Sequence, residues 1–147
     1  MSGVQISYHF GNDVLRAHLA RLATFDSAGA NKAARAVGVH MLGEIQDHFD
    51  GQTLWDDSSM PQSVAAGARG GKTLIDSHAL YDSYHQEVHG DEVILGSDLI
   101  YAAIHDSGGD AGRGLKTHID PRPVLGVNPR NENDIIDEIV NVLKGYE

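Results

Sequence analysis

The chain has 147 residues, one domain's worth and long enough to bury a real core. Its 21 acidic residues against 11 basic ones give a net charge of −10, which disfavours sequence-independent nucleic-acid binding, since that affinity comes from cations replacing phosphate counterions. Cysteine is absent, so disulfides and thiolate chemistry are excluded, and no apolar run approaches the roughly 18 residues of a membrane span.

In chain order, Val4, Ile6, Tyr8 and Phe10 alternate as in a short strand or extended arm. The start lacks a basic region followed by an apolar core, so no secretory signal is expected. Asn12 or Asp13 can cap a first helix with Val14, Leu15, His18, Leu19 and Leu22 on one face. Asp26 and Ser27 offer a second cap, ahead of a helix whose stripe is Ala34, Val37, Met41, Leu42, Ile45 and Phe49. Gly38 and Gly43 weaken that helix by about 1 kcal/mol each relative to alanine, and close approach of a neighbouring helix is one reason to keep them.

Residues 50–71 read as a long loop carrying the single tryptophan, Trp55, and loops of that length are usually functional or ordered by a partner. Asp76 or Ser77 can cap a short helix through Tyr81 and Ser83, followed by a hairpin of Tyr84–His89 and Glu92–Leu95 turning at Gly90-Asp91. Leu99–His105 reads as a short amphipathic helix with Ile100, Ala103 and Ile104 inward, and 107–118 as a second glycine-rich loop. Pro121 and Pro123 stiffen an extended segment. Asn131 or Asn133 then opens a terminal helix with Ile135, Ile136, Ile139, Val142 and Leu143 on one face.

These elements predict an α+β fold, a single domain over residues 1–147, with a small, largely antiparallel sheet packed by N-terminal helices and a C-terminal helix. The hairpin is expected to supply two central strands.

Nine histidines invite a metal reading. His40, Glu44 and His48 fall at i, i+4 and i+8 along one helix, but one His–Glu pair does not close a site, and His48 leans toward Met41 and Ile45, where packing is the simpler role. No metal and no cofactor are expected. His105-Asp106-Ser107 holds the three residue types of a hydrolytic triad, yet triads are assembled from separated positions. The run Gly108–Gly114 lacks the Gly-Lys-[Ser/Thr] ending of a phosphate loop. Catalysis is not supported. Tyr101 and His105 read as seating a helix on the sheet, with His105 at its C-terminal end. Arg122, between two prolines, can fork onto a carboxylate within or between subunits.

Three segments in the second half carry a resemblance. Leu74-Ile75-Asp76-Ser77 with Leu80 and Ser83, then Gly96 with Tyr101-Ala102-Ala103-Ile104-His105 and Gly108-Gly109, then Arg122-Pro123-Val124-Leu125-Gly126 follow in the order typical of the phage virion morphogenesis, or tail completion, family. The chain resembles that family over about residues 50–143, with Gly51 and Trp55 ahead of its variable loop. His78 departs from it, because the family usually has glycine there at a tight turn; Asp106 stands for the common Gln and Val124 for a usual Phe. The resemblance implies a tail-terminator-like structural protein of the virion neck or tail, assembled in the host cytoplasm. It implies a homo-oligomeric ring, six-fold to match the tail, meeting tail tube and head–neck connector proteins while DNA passes without specific binding and no membrane is involved. Trp55, Tyr101, His105 and Arg122 are then interaction candidates, and the acids Asp56, Asp57, Asp106 and Asp110, placed in loops, are candidates for the lumen. Two other classes compete: a non-viral cytosolic interaction module and a His-rich metal-dependent hydrolase.

Overall fold

A computed structural model describes residues 3–9 and 27–145. Along them run β1 (Val4–His9), α1 (Ser27–Gly51), α2 (Val64–Arg69), α3 (Ala79–Ser83), β2 (Tyr84–His89), β3 (Glu92–Ser97), α4 (Ala102–Ser107), β4 (Gly109–Ala111), a 3-10 turn at Arg113–Leu115, β5 (Thr117–Ile119) and α5 (Pro129–Lys144). The helix expected to carry Val14 to Leu22, with Phe10 before it, lies outside the described residues.

The main sheet is antiparallel, in the order β1-β3-β2. The fold is therefore α+β, with helices against a small antiparallel sheet. Among the described residues only β3 of the hairpin's two strands is central and β2 is outer, because the N-terminal segment pairs with β3 in register Val4↔Ser97 to His9↔Glu92. That pairing also carries β3 two residues past Leu95, to Ser97.

Side chains alternate across the sheet, so Val93, Leu95 and Ser97 of β3 share a face with Tyr84, Gln86 and Val88 of β2. Helix α1 lies on that face. Its stripe Val37, Met41, Ile45 and Phe49 is buried as its 3.6-residue period requires, each large side chain contributing about 1.5–3 kcal/mol. The ring of Phe49 meets those of Tyr81 and Tyr84, centroids 5.6 Å apart in both pairs. Gly38 marks the close approach, but to the sheet rather than to a helix: a Cβ there would overlap the Gln86 side chain, whereas one at Gly43 would meet nothing within 4 Å.

Helix α5 packs beside α1 and buries Ile139, Val142 and Leu143, with Ile135 partly covered; Ile136 faces outward. Its cap is Asn128, not Asn131 or Asn133. Asn128 Oδ1 accepts the Asn131 N–H at 2.8 Å, and Asn131 Oδ1 accepts the Asn128 N–H at 3.2 Å, with Pro129 in the first turn. This reciprocal box satisfies two donors that a helix start leaves open, worth about 1 kcal/mol.

Three loop-level expectations change. Within 50–71, Ser63 caps α2 by accepting the Ala66 N–H, and Thr53 bridges Ser59. Within 107–118, β4 and β5 form a second, two-stranded sheet. The helix placed at 99–105 starts at Ala102, leaving Ile100 almost fully exposed. Glycine density marked these turns without revealing the short pairings between them. Ahead of α3, His78 holds φ +65°, so the tight turn is kept although the residue is not glycine. No helix among the described residues is long and apolar enough to cross a membrane.

Candidate functional site

A groove of about 670 Å³ opens between α2, the turn at Tyr101 and the β5 segment. Val64 and Ala68, Tyr101 and His105, Ile119 and Arg122 wall it, so three of the four interaction candidates come together here. The local reasons differ. Tyr101 and His105 are one helical turn apart and meet edge to face, centroids 6.0 Å apart. Arg122 is brought in because its backbone N–H donates to the His105 carbonyl at 2.8 Å, a bond that the rigid Pro121–Pro123 backbone holds in place.

Among the described residues of the chain Arg122 meets carbonyls rather than a carboxylate. Its side chain is buried, Nε donating to the Pro61 carbonyl at 2.7 Å and Nη1 to the Asp120 carbonyl at 3.2 Å. It ties the β5 segment to the loop ahead of α2. Burial, helped by that guanidinium, holds the His105 imidazole below its usual pKa, and its buried Nδ1 has no hydrogen-bond partner among the described residues.

Asp106 was expected in a loop; it belongs to α4 and is half-buried. Burial pushes its carboxyl above the usual range, while backbone N–H groups of Leu125 and Val124 pull the other way. The same burial and the nearby Asp106 raise the Tyr84 phenol. His105, Asp106 and Ser107 thus fan out around one turn, the first to the groove, the second inward, the third exposed. Successive helical residues diverge by about 100°, so they cannot relay a proton as a triad.

Trp55 is in a different place. Its half-buried ring lies on Gly126, where a Cβ would fall 2.5 Å from Cδ2, and its backbone N–H donates to the Pro123 carbonyl at 3.0 Å. The glycine ending Pro-Val-Leu-Gly is thereby explained within the chain. Of the other acids, Asp56 is exposed and accepts from the Ser58 hydroxyl, which chiefly lowers its pKa, and from the Ser58 N–H. Asp110 is exposed and pairs with His118 Nδ1 at 2.9 Å, the bond that chiefly raises the imidazole pKa.

Asp57 joins a charge cluster that sequence reasoning missed. Arg130 at the start of α5 donates both Nη atoms to Glu44 of α1, at 2.9 and 2.8 Å. It also reaches Asp57 at 3.0 Å and Asp134 at 3.4 Å. Asn131 Nδ2 adds a bond to Glu44 at 3.1 Å and Asn128 Nδ2 one to Asp57 at 3.3 Å. The Arg130 hydrogen bonds hold Glu44 below the usual carboxylate range against the opposing effect of burial.

Asp134, not His48, is the third residue beside His40 and Glu44, the ligand atoms of the three lying within 4.8 Å of one another. His48 is buried, with Nδ1 2.8 Å from Thr53 Oγ1. A divalent ion is compatible with this His–carboxylate donor set, but Arg130 already spans both oxygens of Glu44 and reaches Asp134, so an ion would compete with it.

The model of the phage virion morphogenesis family matches residues 12–144, well beyond the 50–143 over which motifs were read. The chain is 44% identical over 107 residues, covering 71% of it and 72% of the relative, to the Mu-like prophage FluMu G protein 2 of Haemophilus influenzae. No solved structure matches.

Proposed function

The chain belongs to the phage virion morphogenesis family, and from that premise we propose that it completes the tail as a homo-oligomeric ring at the head–tail junction. Membership places the protein in phage assembly as a virion component. The finer position, a six-fold terminator seated between tail tube and head–neck connector with DNA passing through, is the proposal. So is a purely structural role without catalysis.

The observation that carries it is the family match over almost the whole chain, joined to a surface equipped for contacts. Val64, Ile100, Tyr101 and Leu115 are large apolar side chains left exposed around the groove and the β4–β5 hairpin. Strand β2 has no partner on its outer side among the described residues, an edge that a neighbouring copy can cover. Exposed Asp56 suits a lumen from which phosphates are repelled, and so does exposed Asp110 where His118 is neutral; Asp57, neutralised by Arg130, and half-buried Asp106 do so less.

The test has two arms. Negative-stain images and sedimentation of the purified protein should show closed rings of a single size. Phage lacking the protein should yield unjoined heads and tails, or tails of uncontrolled length, rescued by the wild-type chain. A protein that stays monomeric at high concentration and is dispensable for joined, infectious particles would end the proposal. Tight, salt-sensitive DNA binding by the free chain would contradict the non-adhesive lumen.

A further inference from the structure

Resting on the ring reading, we propose that the β4–β5 arm of one copy docks on the outer face of α5 of the next, head to tail.

The arm is built for an external partner. Every residue from Gly112 to His118 is exposed. At its tip Leu115 is 67% exposed and held at φ +54°, next to Gly114 at φ +72°. Two consecutive positive φ values are ordinarily met by Gly or Asn. A leucine there is strained; its N–H donates to the Gly112 carbonyl at 3.1 Å, but its side chain is open to solvent and gains no burial to set against that strain. Leu115 is flanked by Arg113 and Lys116, neither of which forms an ion pair among the described residues. The tip therefore presents one apolar side chain between two uncommitted cations.

Helix α5 carries the complement. Its inward stripe is spent on the core, yet Ile136 and Val140, one turn apart along the flank of that stripe, are 53% and 39% exposed. Beside them stand Glu132, a turn earlier on the same line, and Asp137; both are exposed, and neither forms an ion pair among the described residues. In a chain of net charge −10 like copies repel, and a local cation–anion match sets which surfaces meet. Docked head to tail, each copy keeps one arm and one α5 patch open for further copies, so the contact propagates and gives a ring where the rotation between copies closes and an open filament where it does not. A two-fold dimer through either patch alone would set like charges face to face.

The experiment uses the full chain in sedimentation velocity, with circular dichroism melts to check folding. The variants are Leu115→Ser, the pair Arg113→Glu with Lys116→Glu, and the pair Glu132→Lys with Asp137→Lys. All substituted residues are exposed, and melting should stay close to wild type. Each variant should weaken association by about tenfold or more. Mixing the two charge-reversed proteins should restore assembly, since each arm again faces an α5 of opposite sign. Normal assembly of the arm variants, or failure of the folded mixture to reassociate, overturns this contact while the wild-type ring stands. A wild-type protein that forms no ring removes the ring reading itself, and this inference with it.

Discussion

Replacing Arg130 with methionine should cost about 2 kcal/mol of stability. Arg130 faces Glu44, Asp57 and Asp134, which lie on α1, the 52–60 loop and α5 itself. The Glu44 side chain is only 12% exposed, whereas that of Arg130 is 48% exposed. Breaking a fully buried pair costs about 3–5 kcal/mol, because a charge is left without its partner, and an exposed pair is worth about 0.2–1 kcal/mol. A buried acid held by a half-exposed base falls between the two, with Asn131 retaining one bond to Glu44. In urea, where slopes are about 1–3 kcal/mol per molar for small proteins, the midpoint should fall by about 1 M. Changing Glu44 to Gln together with Arg130→Met should recover part of the loss, giving a coupling of about 1 kcal/mol or more. The pH dependence supplies a second reading. The folded Glu44 pKa is depressed, so its contribution is present above the unfolded value and is lost as pH falls through the folded one. Arg130→Met should flatten that acid limb. A loss below about 0.5 kcal/mol with no coupling would mean that the cluster is merely solvated, and the account of how α5 is fastened to α1 would fall.

Restoring glycine at residue 78 should stabilise the protein by about 1 kcal/mol, since His78 at φ +65° bears a left-handed strain that glycine lacks; the melting temperature should rise by about 3 °C, and a fall would show that the edge contact of His78 with Tyr81 matters more. Gly126→Ala should cost about 1–3 kcal/mol by driving a methyl into the Trp55 ring, with a red shift of tryptophan emission as the check. Trp55→Ala should for the same reason lower the melting temperature as well as impair incorporation into particles. Burial depresses the imidazoles of His48 and His105, so the stability they lend is complete above the unfolded value near 6.5 and declines as pH drops below it. Asp106, raised by its own burial, acts in the opposite sense, its penalty disappearing as pH falls through its folded pKa; urea midpoints of wild type and His105→Asn between pH 7.5 and pH 5.5 would separate the two.

Local periodicity was enough for much of the fold. The stripe from Val37 to Phe49, the Ile139–Leu143 face and the β2–β3 hairpin are written in spacings of 3.6 or 2 residues, which any stretch of chain reveals without knowledge of its neighbours. Family membership was legible in the same way, because its motifs are short and ordered along the chain. What the sequence left open are pairings between distant segments, where residue identity sets the capacity to bond but only the packed chain supplies the partner. Arg122 could serve a carboxylate, yet it closes on a carbonyl 61 residues away. Asp57 looked like a loop acid and is claimed by Arg130, 73 residues on. Asp134 joins His40 and Glu44 because α5 lies against α1. Trp55 reaches Gly126 because the Pro123 carbonyl holds its backbone there. For Arg122, which is buried, the loss of water as a competing partner forces the choice; for Asp57 and Arg130, each 48% exposed, it is the packing of the elements that places the partner within reach.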